Sequence, residues 1–110
     1  MSYNILTIPH FDKELKRLSK KYQSLKLEIF ELGQLLENNP QIGDEILSHC
    51  YKIRLSISSK GKGKRGGARV ITYVYISGKK VFLLSIYDKS EKNDISDKEL
   101  KDLITSLDLE

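Results

Sequence analysis

The chain has 110 residues, the usual size of one domain, so we expect a single domain over residues 1–110. Apolar residues make up 39% and charged residues 31%, which argues against a disordered chain, and no apolar run is long enough for a membrane helix. The formal net charge of +4 suits a nucleic-acid partner as well as a merely basic surface. A lone cysteine, Cys50, and an N-terminus without a signal-peptide pattern predict a reducing, cytoplasmic setting.

The first forty residues predict a strand and two helices. Tyr3 to Ile8 is short, β-branched and aromatic, as strands are. Pro9 suits the first turn of a helix, and apolar residues follow it at helical spacing as far as Tyr22. Ser24 is a candidate N-cap for a second helix, which is predicted to end at Asn38-Asn39-Pro40. Because so few residues separate the two helices, we expect an antiparallel helical hairpin.

The rest of the chain predicts three strands and a last helix. The segment Gln41 to Cys50 has no clear periodicity and is predicted to be a loop. Three segments rich in β-branched, aromatic or alternating apolar residues are predicted to be strands: Tyr51 to Ile57, Ala68 to Ile76 and Val81 to Tyr87. Ser96 is typical of a helix N-cap, and an apolar stripe follows it. The predicted order β-α-α-β-β-β-α is that of an α+β domain, with a mostly antiparallel sheet and the helical hairpin on one face.

A run of glycine and basic residues, KGKGKRGGAR, occupies positions 60–69. It matches the letters of a dinucleotide-binding loop, but a strand follows where such a loop opens a helix, and the lysine of a Walker A loop is missing. No nucleotide cofactor is therefore expected. Glycine lets the backbone approach a polyanion, and four basic side chains are predicted to bind nucleic-acid phosphates: Lys60, Lys62, Lys64 and Arg65. A solvated loop kept soluble by its charge is the alternative.

Six further polar residues lie on or just after the predicted strands and are the candidate catalytic residues. They are Lys52, Arg54, Arg69, Tyr87, Asp88 and Lys89. If the strands are adjacent, these side chains gather on one face of the sheet. Cations stabilise the extra charge of a phosphorane, and an aromatic ring can stack on a splayed base. This combination of residues is the one expected for gripping or cleaving an RNA backbone.

Three stretches, YKIRL, KGKRGGARVITY and IYDKSEKNDIS, together with the order of elements, resemble the RelE/HigB superfamily of bacterial type II toxins, most of all HigB-like members with a glycine–lysine loop. The resemblance implies a cytoplasmic endoribonuclease that cuts mRNA in the ribosomal A site with the RNA 2′-hydroxyl as nucleophile. It also implies that no metal or other cofactor is needed and that a cognate antitoxin neutralises the enzyme.

The resemblance also suggests roles for individual residues. Lys52 and Arg54 match the cationic strand of the family, and Arg69 matches the arginine that steadies the scissile phosphate. Lys89 falls near the cation that the family carries after the last strand, so it is a candidate acid for the leaving 5′-oxygen. Tyr87 and Asp88 fall where HigB-like members keep an acidic–aromatic pair.

Several alternatives stay open at the level of the sequence. Lys52 and Asp88 are both candidate general bases, because arginine stays protonated. His49, just before a predicted strand, is a further candidate. Among other functions, ParE-type relatives share the fold but poison DNA gyrase, and a nucleic-acid-binding module without chemistry is also compatible with the basic surface.

Overall fold

The computed structural model describes residues 2–60 and 67–109. The helices are α1 (Pro9–Lys21), α2 (Leu25–Asn38) and α3 (Asp97–Ser106), and the strands are β1 (Asn4–Thr7), β2 (Asp44–Leu47), β3 (Cys50–Leu55), β4 (Ala68–Tyr75) and β5 (Lys80–Asp88). A single 3₁₀ turn, Ser58–Lys60, follows β3. No helix within these ranges is both long and apolar enough to cross a membrane.

The five strands form one sheet in the order β1-β5-β4-β3-β2. From β2 to β5 each strand is antiparallel to the next along the chain, whereas β1 joins the β5 edge in parallel. The two N-terminal helices connect β1 to the far edge of this sheet. The predicted α+β class, the mostly antiparallel sheet and the order of the predicted elements are confirmed, with β2 as an addition.

The prediction of a loop from Gln41 to Cys50 is wrong, because β2 lies within this segment. Gly43, with φ at +101°, turns the chain so closely against β3 that a Cβ atom would lie 2.5 Å from the Lys52 carbonyl oxygen. Only glycine adopts such a conformation at low cost. β2 has four residues that are exposed or half-buried, so it lacks the alternation that reveals a strand. Its pairing with β3 sets Asp44 opposite Lys52.

The helical hairpin of α1 and α2 covers one face of the sheet, here called the hairpin face. Its apolar stripes pack on inward-facing side chains of β3, β4 and β5, and this core includes Phe11, Leu18, Leu25, Leu36, Ile53, Val70, Val74 and Ile86. Pro9 occupies the first turn of α1, as predicted. Ser24, the predicted cap of α2, makes no capping bond, and its hydroxyl lies 2.8 Å from Ser59 Oγ in the 3₁₀ turn instead. The start of α2 thus anchors the chain that leads into the glycine-rich segment.

The α3 helix packs on the opposite side of the sheet, here called the α3 face. Its apolar side chains contact the residues of the strands that alternate with those of the hairpin face, among them Cys50, Ile71, Leu84 and Tyr87. Ser96 and Glu99 form the predicted capping box, in which Glu99 N donates to Ser96 Oγ at 3.1 Å. Arg54 lies on this same face but remains exposed, so α3 leaves that part of the sheet open.

Candidate active site

The α3 face carries a row of predicted site residues across three strands. Arg54 of β3 lies opposite Arg69 of β4, and Arg69 lies opposite Tyr87 of β5. Residues paired across antiparallel strands have side chains on the same face, with Cβ atoms about 4.5–5.5 Å apart. The two arginine side chains therefore leave the sheet next to each other on this face, and both line the same concavity. Their mutual repulsion is relieved when an anion binds between them.

An open concavity of about 170 Å³ lies over this row. Its lining consists of four cations and one carboxylate: Lys52, Arg54, Arg69, Lys89 and Asp44. These four cations are the complete basic part of the predicted catalytic set, and they come from β3, β4 and the segment that follows β5. The fold thus brings together residues that are distant in the sequence. A concave surface with this charge suits a phosphodiester backbone.

The cations differ in how firmly they are held. Arg69 is only 9% exposed, and its Nη1 donates to the Ala68 carbonyl oxygen at 3.2 Å. The Lys89 Nζ atom donates to both the backbone oxygen and Oδ1 of Asn93, at 2.9 Å in each case. Arg54 is exposed and forms no ion pair with the carboxylates of residues 2–60 and 67–109. The concavity therefore combines well-ordered cations with one that remains available to a ligand.

Asp94, in the connection between β5 and α3, joins two of the predicted residues. Its Oδ1 accepts hydrogen bonds from Lys52 Nζ at 3.0 Å and from the Tyr87 hydroxyl at 3.2 Å. The bond from Lys52 is the main cause that lowers the pKa of Asp94. Burial, and then the charge of Asp94, raise the pKa of Tyr87 to about 12. Tyr87 is 3% exposed, so it is a buried neutral donor, and the contact of its ring with an RNA base stays a prediction.

Comparison with known proteins agrees with this architecture. Residues 10–106 match the family described as the RelE toxin of the RelE/RelB toxin–antitoxin system. The chain belongs to the RelE toxin family. The predicted superfamily is thereby confirmed.

Two solved structures share the RelE fold with this chain. A mutant of the E. coli toxin RelE in the free state is 16% identical with a TM-score of 0.62, and the match covers 96% of this chain and 98% of that one. The mutant in complex with a peptide of the antitoxin RelBc is 22% identical with a TM-score of 0.56, over 93% of this chain and 94% of that one. At these identities the likeness establishes the fold, and the roles of residues in this RelE-family chain rest on its own geometry.

Asp88 is not part of the concavity. It follows Tyr87 in β5, and successive strand residues point to opposite faces, so its carboxylate lies on the hairpin face. There it is completely buried and accepts hydrogen bonds from the Tyr22 hydroxyl at 2.6 Å and from Ser90 Oγ at 2.7 Å. The structure thus separates the predicted acidic–aromatic pair, and it gives Asp88 the geometry of a residue that ties α1 to the end of β5.

Sequence reasoning missed two carboxylates near the cations of this RelE-type fold. Asp44 was hidden in the predicted loop, and only the pairing of β2 with β3 places it beside Lys52. Asp94 stands in a polar connection and contacts a lysine far away in the sequence. Its one local signal is its position two residues before the Ser96 cap, which places it at the point where the chain turns back onto the sheet.

Of the remaining predicted residues that the structure describes, His49 is not among those that line the concavity. Lys62, Lys64 and Arg65 lie outside the described residues, as does the side chain of Lys60, so their binding to RNA stays a prediction. His49 lies in the tight turn between β2 and β3, with φ at +65°, and its ring meets Tyr73 edge-on at 6.4 Å. Burial raises the pKa of the Cys50 thiol to about 12, as expected of a buried apolar filler.

Proposed function

We propose that this chain is the toxin of a type II toxin–antitoxin system and a ribosome-dependent endoribonuclease that cleaves mRNA and so inhibits translation. The observation that carries the proposal is the convergence of Lys52, Arg54, Arg69 and Lys89 on one concavity. Cleavage through the RNA 2′-hydroxyl passes through a phosphorane with added negative charge, which preplaced cations stabilise. Membership in the RelE toxin family supports the same conclusion.

The scissile phosphate is proposed to bind between Arg54 and Arg69. These two residues are directly opposite in the β3–β4 ladder, so one phosphate can accept hydrogen bonds from both guanidinium groups. Arg69 is the better ordered of the two because it is almost fully buried. We therefore assign the phosphate clamp to Arg69 and additional charge stabilisation to Arg54.

Lys89 is proposed as the general acid for the leaving 5′-oxygen. Its ammonium is held by two neutral oxygens of Asn93 and not by a carboxylate. Its proton can therefore pass to an alkoxide without the loss of an ion pair. Lys89 follows β5 and Asp44 begins the edge strand β2, so β4 and β3 lie between the two strands that carry these lining residues.

Asp44 is proposed as the general base. Asp88 lies on the opposite face of the sheet, the Lys52 nitrogen donates to Asp94, and His49 is not among the described lining residues. None of the three candidate bases from the sequence therefore offers a lone pair to the concavity. Asp44 is the one carboxylate among the described lining residues. In the proposed reaction it removes the proton of the 2′-hydroxyl, the 2′-oxygen bonds to phosphorus, the bond to the 5′-oxygen breaks, and Lys89 protonates that oxygen. The products are a 2′,3′-cyclic phosphate and a 5′-hydroxyl.

The partners follow from the same proposal. The similarity to a RelE mutant in complex with an antitoxin RelBc peptide supports a cognate antitoxin for this chain. The proposed reaction also requires a ribosome with an mRNA in its A site, and therefore a cytoplasmic location. No metal or cofactor enters the reaction, and the basic residues of the glycine-rich segment are its predicted additional contacts to RNA.

The test is cleavage of mRNA on translating ribosomes by the purified protein, mapped by primer extension. We expect the wild type to cleave and Arg69→Ala to lose roughly 10²- to 10³-fold in rate, as on removal of a transition-state donor. Arg17→Ala is the matched control, because Arg17 is an exposed α1 residue whose ion pair with Glu91 lies outside the concavity. Circular dichroism checks that both variants are folded.

Two results would contradict the proposal. A fully active Arg69→Ala protein would exclude Arg69 as the residue that clamps the scissile phosphate. A wild-type protein that leaves ribosome-bound mRNA intact would refute the proposed endoribonuclease activity. A gyrase supercoiling assay would then test the ParE-type alternative.

A further inference from the structure

Asp94 lies where three hydrogen-bond donors meet on one oxygen atom. Its Oδ1 accepts from Lys52 Nζ at 3.0 Å, from the Tyr87 hydroxyl at 3.2 Å and from Ile95 N at 2.8 Å. Two of these donors belong to buried residues, Tyr87 in the central part of the sheet and Ile95 in the core beneath α3. The exposed carboxylate is thus held by two donors from buried residues, and its third donor is the half-buried Lys52.

The neighbouring residue acts in the same way on the other lysine of the concavity. Asn93 accepts two hydrogen bonds from Lys89, and Asp94 accepts one from Lys52. Two consecutive residues of one connection therefore hold the two lysines of the site. The partners differ in charge, since an amide and a carbonyl hold Lys89 whereas a carboxylate holds Lys52. Lys52 therefore lies in an ion pair, whereas the ammonium of Lys89 is held by two neutral oxygens.

We propose that Asp94 is a positioning residue of the active site, which fixes Lys52 as a preplaced cation at the rim of the concavity. This inference rests on the proposed function, to which it adds a residue that acts through Lys52 and does not touch the RNA. A free lysine side chain loses rotamer freedom when it grips a phosphate, and prior ordering removes that cost from the cleavage step. The lowered pKa of Asp94 agrees with a carboxylate that stays charged beside Lys52.

A simple electrostatic brake is the physical alternative. In that case Asp94 would only compete with RNA for Lys52, and its removal would speed cleavage or leave it unchanged. A positioning residue has the opposite effect on the rate. Since loss of a negative charge near a cationic site does not weaken the binding of a polyanion, both mechanisms predict that RNA binding is maintained or improved. The rate at saturation therefore separates the two.

The first experiment measures single-turnover cleavage of ribosome-bound mRNA over a range of toxin concentrations. We expect Asp94→Ala to lower the saturated rate roughly tenfold, with a half-saturating concentration that is equal or lower, as for the loss of one preordered side chain. Asp102→Asn is the matched control, because Asp102 pairs with Lys98 at 3.1 Å on the exposed side of α3. It should cleave at the wild-type rate. A saturated rate for Asp94→Ala equal to or above that of the wild type would overturn the proposal in favour of the brake.

A double-mutant comparison shows whether Asp94 acts through Lys52. In a Lys52→Met background, Asp94→Ala should cause no further loss of rate, because the side chain that it positions is absent. Losses that multiply would show instead that Asp94 acts on something other than Lys52, and the proposal would fail.

The second measurement does not depend on cleavage. Acetylation of each lysine by a small amine-reactive ester is followed by mass spectrometry, and Lys52 should react severalfold faster in Asp94→Ala than in the wild type, with other lysines unchanged. The change of Lys98 reactivity in Asp102→Asn calibrates the effect of losing an exposed ion pair. Unchanged Lys52 reactivity would overturn the positioning role even in a protein that cleaves. A wild type without cleavage but with the expected Lys52 response would overturn the proposed function alone.

Discussion

Asp88→Asn is the substitution that separates the role predicted from the sequence from the role indicated by the fold. The Asp88 carboxylate is completely buried on the hairpin face. It accepts hydrogen bonds from the Tyr22 hydroxyl at 2.6 Å, from Ser90 N at 2.9 Å and from Ser90 Oγ at 2.7 Å. Neutralising a carboxylate in such a site lowers stability, whereas neutralising a general base lowers activity.

The expected loss comes mainly from these three hydrogen bonds, because the ion pair of Asp88 with the half-exposed Lys21 is longer, at 3.7 Å. A hydrogen bond to a charged group contributes about 1.5–3 kcal/mol to stability, and one between neutral groups about 0.5–1.5 kcal/mol. Asparagine therefore weakens each bond by roughly 1 kcal/mol, and its amide nitrogen must also face one of the donors. Because a neutral side chain is less costly to bury, part of the loss is offset. We expect Asp88→Asn to lower the free energy of unfolding by about 2 kcal/mol.

Urea unfolding followed by circular dichroism measures this loss. The midpoint should fall by roughly 1–2 M urea with an unchanged slope, while Asp102→Asn, the same change on the exposed side of α3, should leave it in place. Tyr22→Phe should remove part of the same stability, and the double variant should lose less than the sum of the single losses. Assayed where it is fully folded, Asp88→Asn should cleave mRNA like the wild type. A variant as stable as the wild type but unable to cleave would refute this reasoning and return Asp88 to the active site.

Two further predictions concern the concavity and its support. Asp44→Asn should lower the cleavage rate by about 10²-fold or more without weakening RNA binding. Glu45→Gln, the same charge change on the opposite face of β2, should keep the wild-type rate. Equal cleavage rates for the two variants would exclude Asp44 as the general base. Because the pKa of Tyr87 is raised from 10.0 to about 12, the unfolded chain releases this proton before the folded one does. Stability should therefore decrease as the pH rises through that interval, by about 1.4 kcal/mol per pH unit from this group. Urea unfolding at several alkaline pH values should show this added slope for the wild type and not for Tyr87→Phe.

The helices were predictable because their signals are local. The apolar stripes of α1 and α2 and the capping box of Ser96 and Glu99 lie within a few residues of one another, so no knowledge of the distant chain is needed to read them. The strand β2 was not predicted, because its signal is not local. It is short and lies at the edge of the sheet, and it is a strand only because it pairs with β3.

The face assignments within β5 show a second limit. Tyr87 and Asp88 are consecutive and were predicted to share the site, although the alternation of a strand already places them on opposite faces. Which of the two faces the cations is decided by the register of β5 with β4, where Tyr87 meets Arg69. That register depends on the packing of both faces of the sheet, so it cannot be predicted from the identity of either residue.

The sequence by itself determined the α+β class, the helical hairpin, the likeness to the RelE family and the identity of the four cations, because these depend on local periodicity and on residue types within short segments. Only the tertiary structure decided which carboxylates accompany those cations. Asp44 and Asp94 reach Lys52 through strand pairing and through the connection that α3 anchors, whereas Asp88 is turned to the other side. The physical reason is that long-range strand pairing sets which side chains share a face of the sheet. A carboxylate beside a cation can take part in the site, whereas one buried on the opposite face can only stabilise the fold.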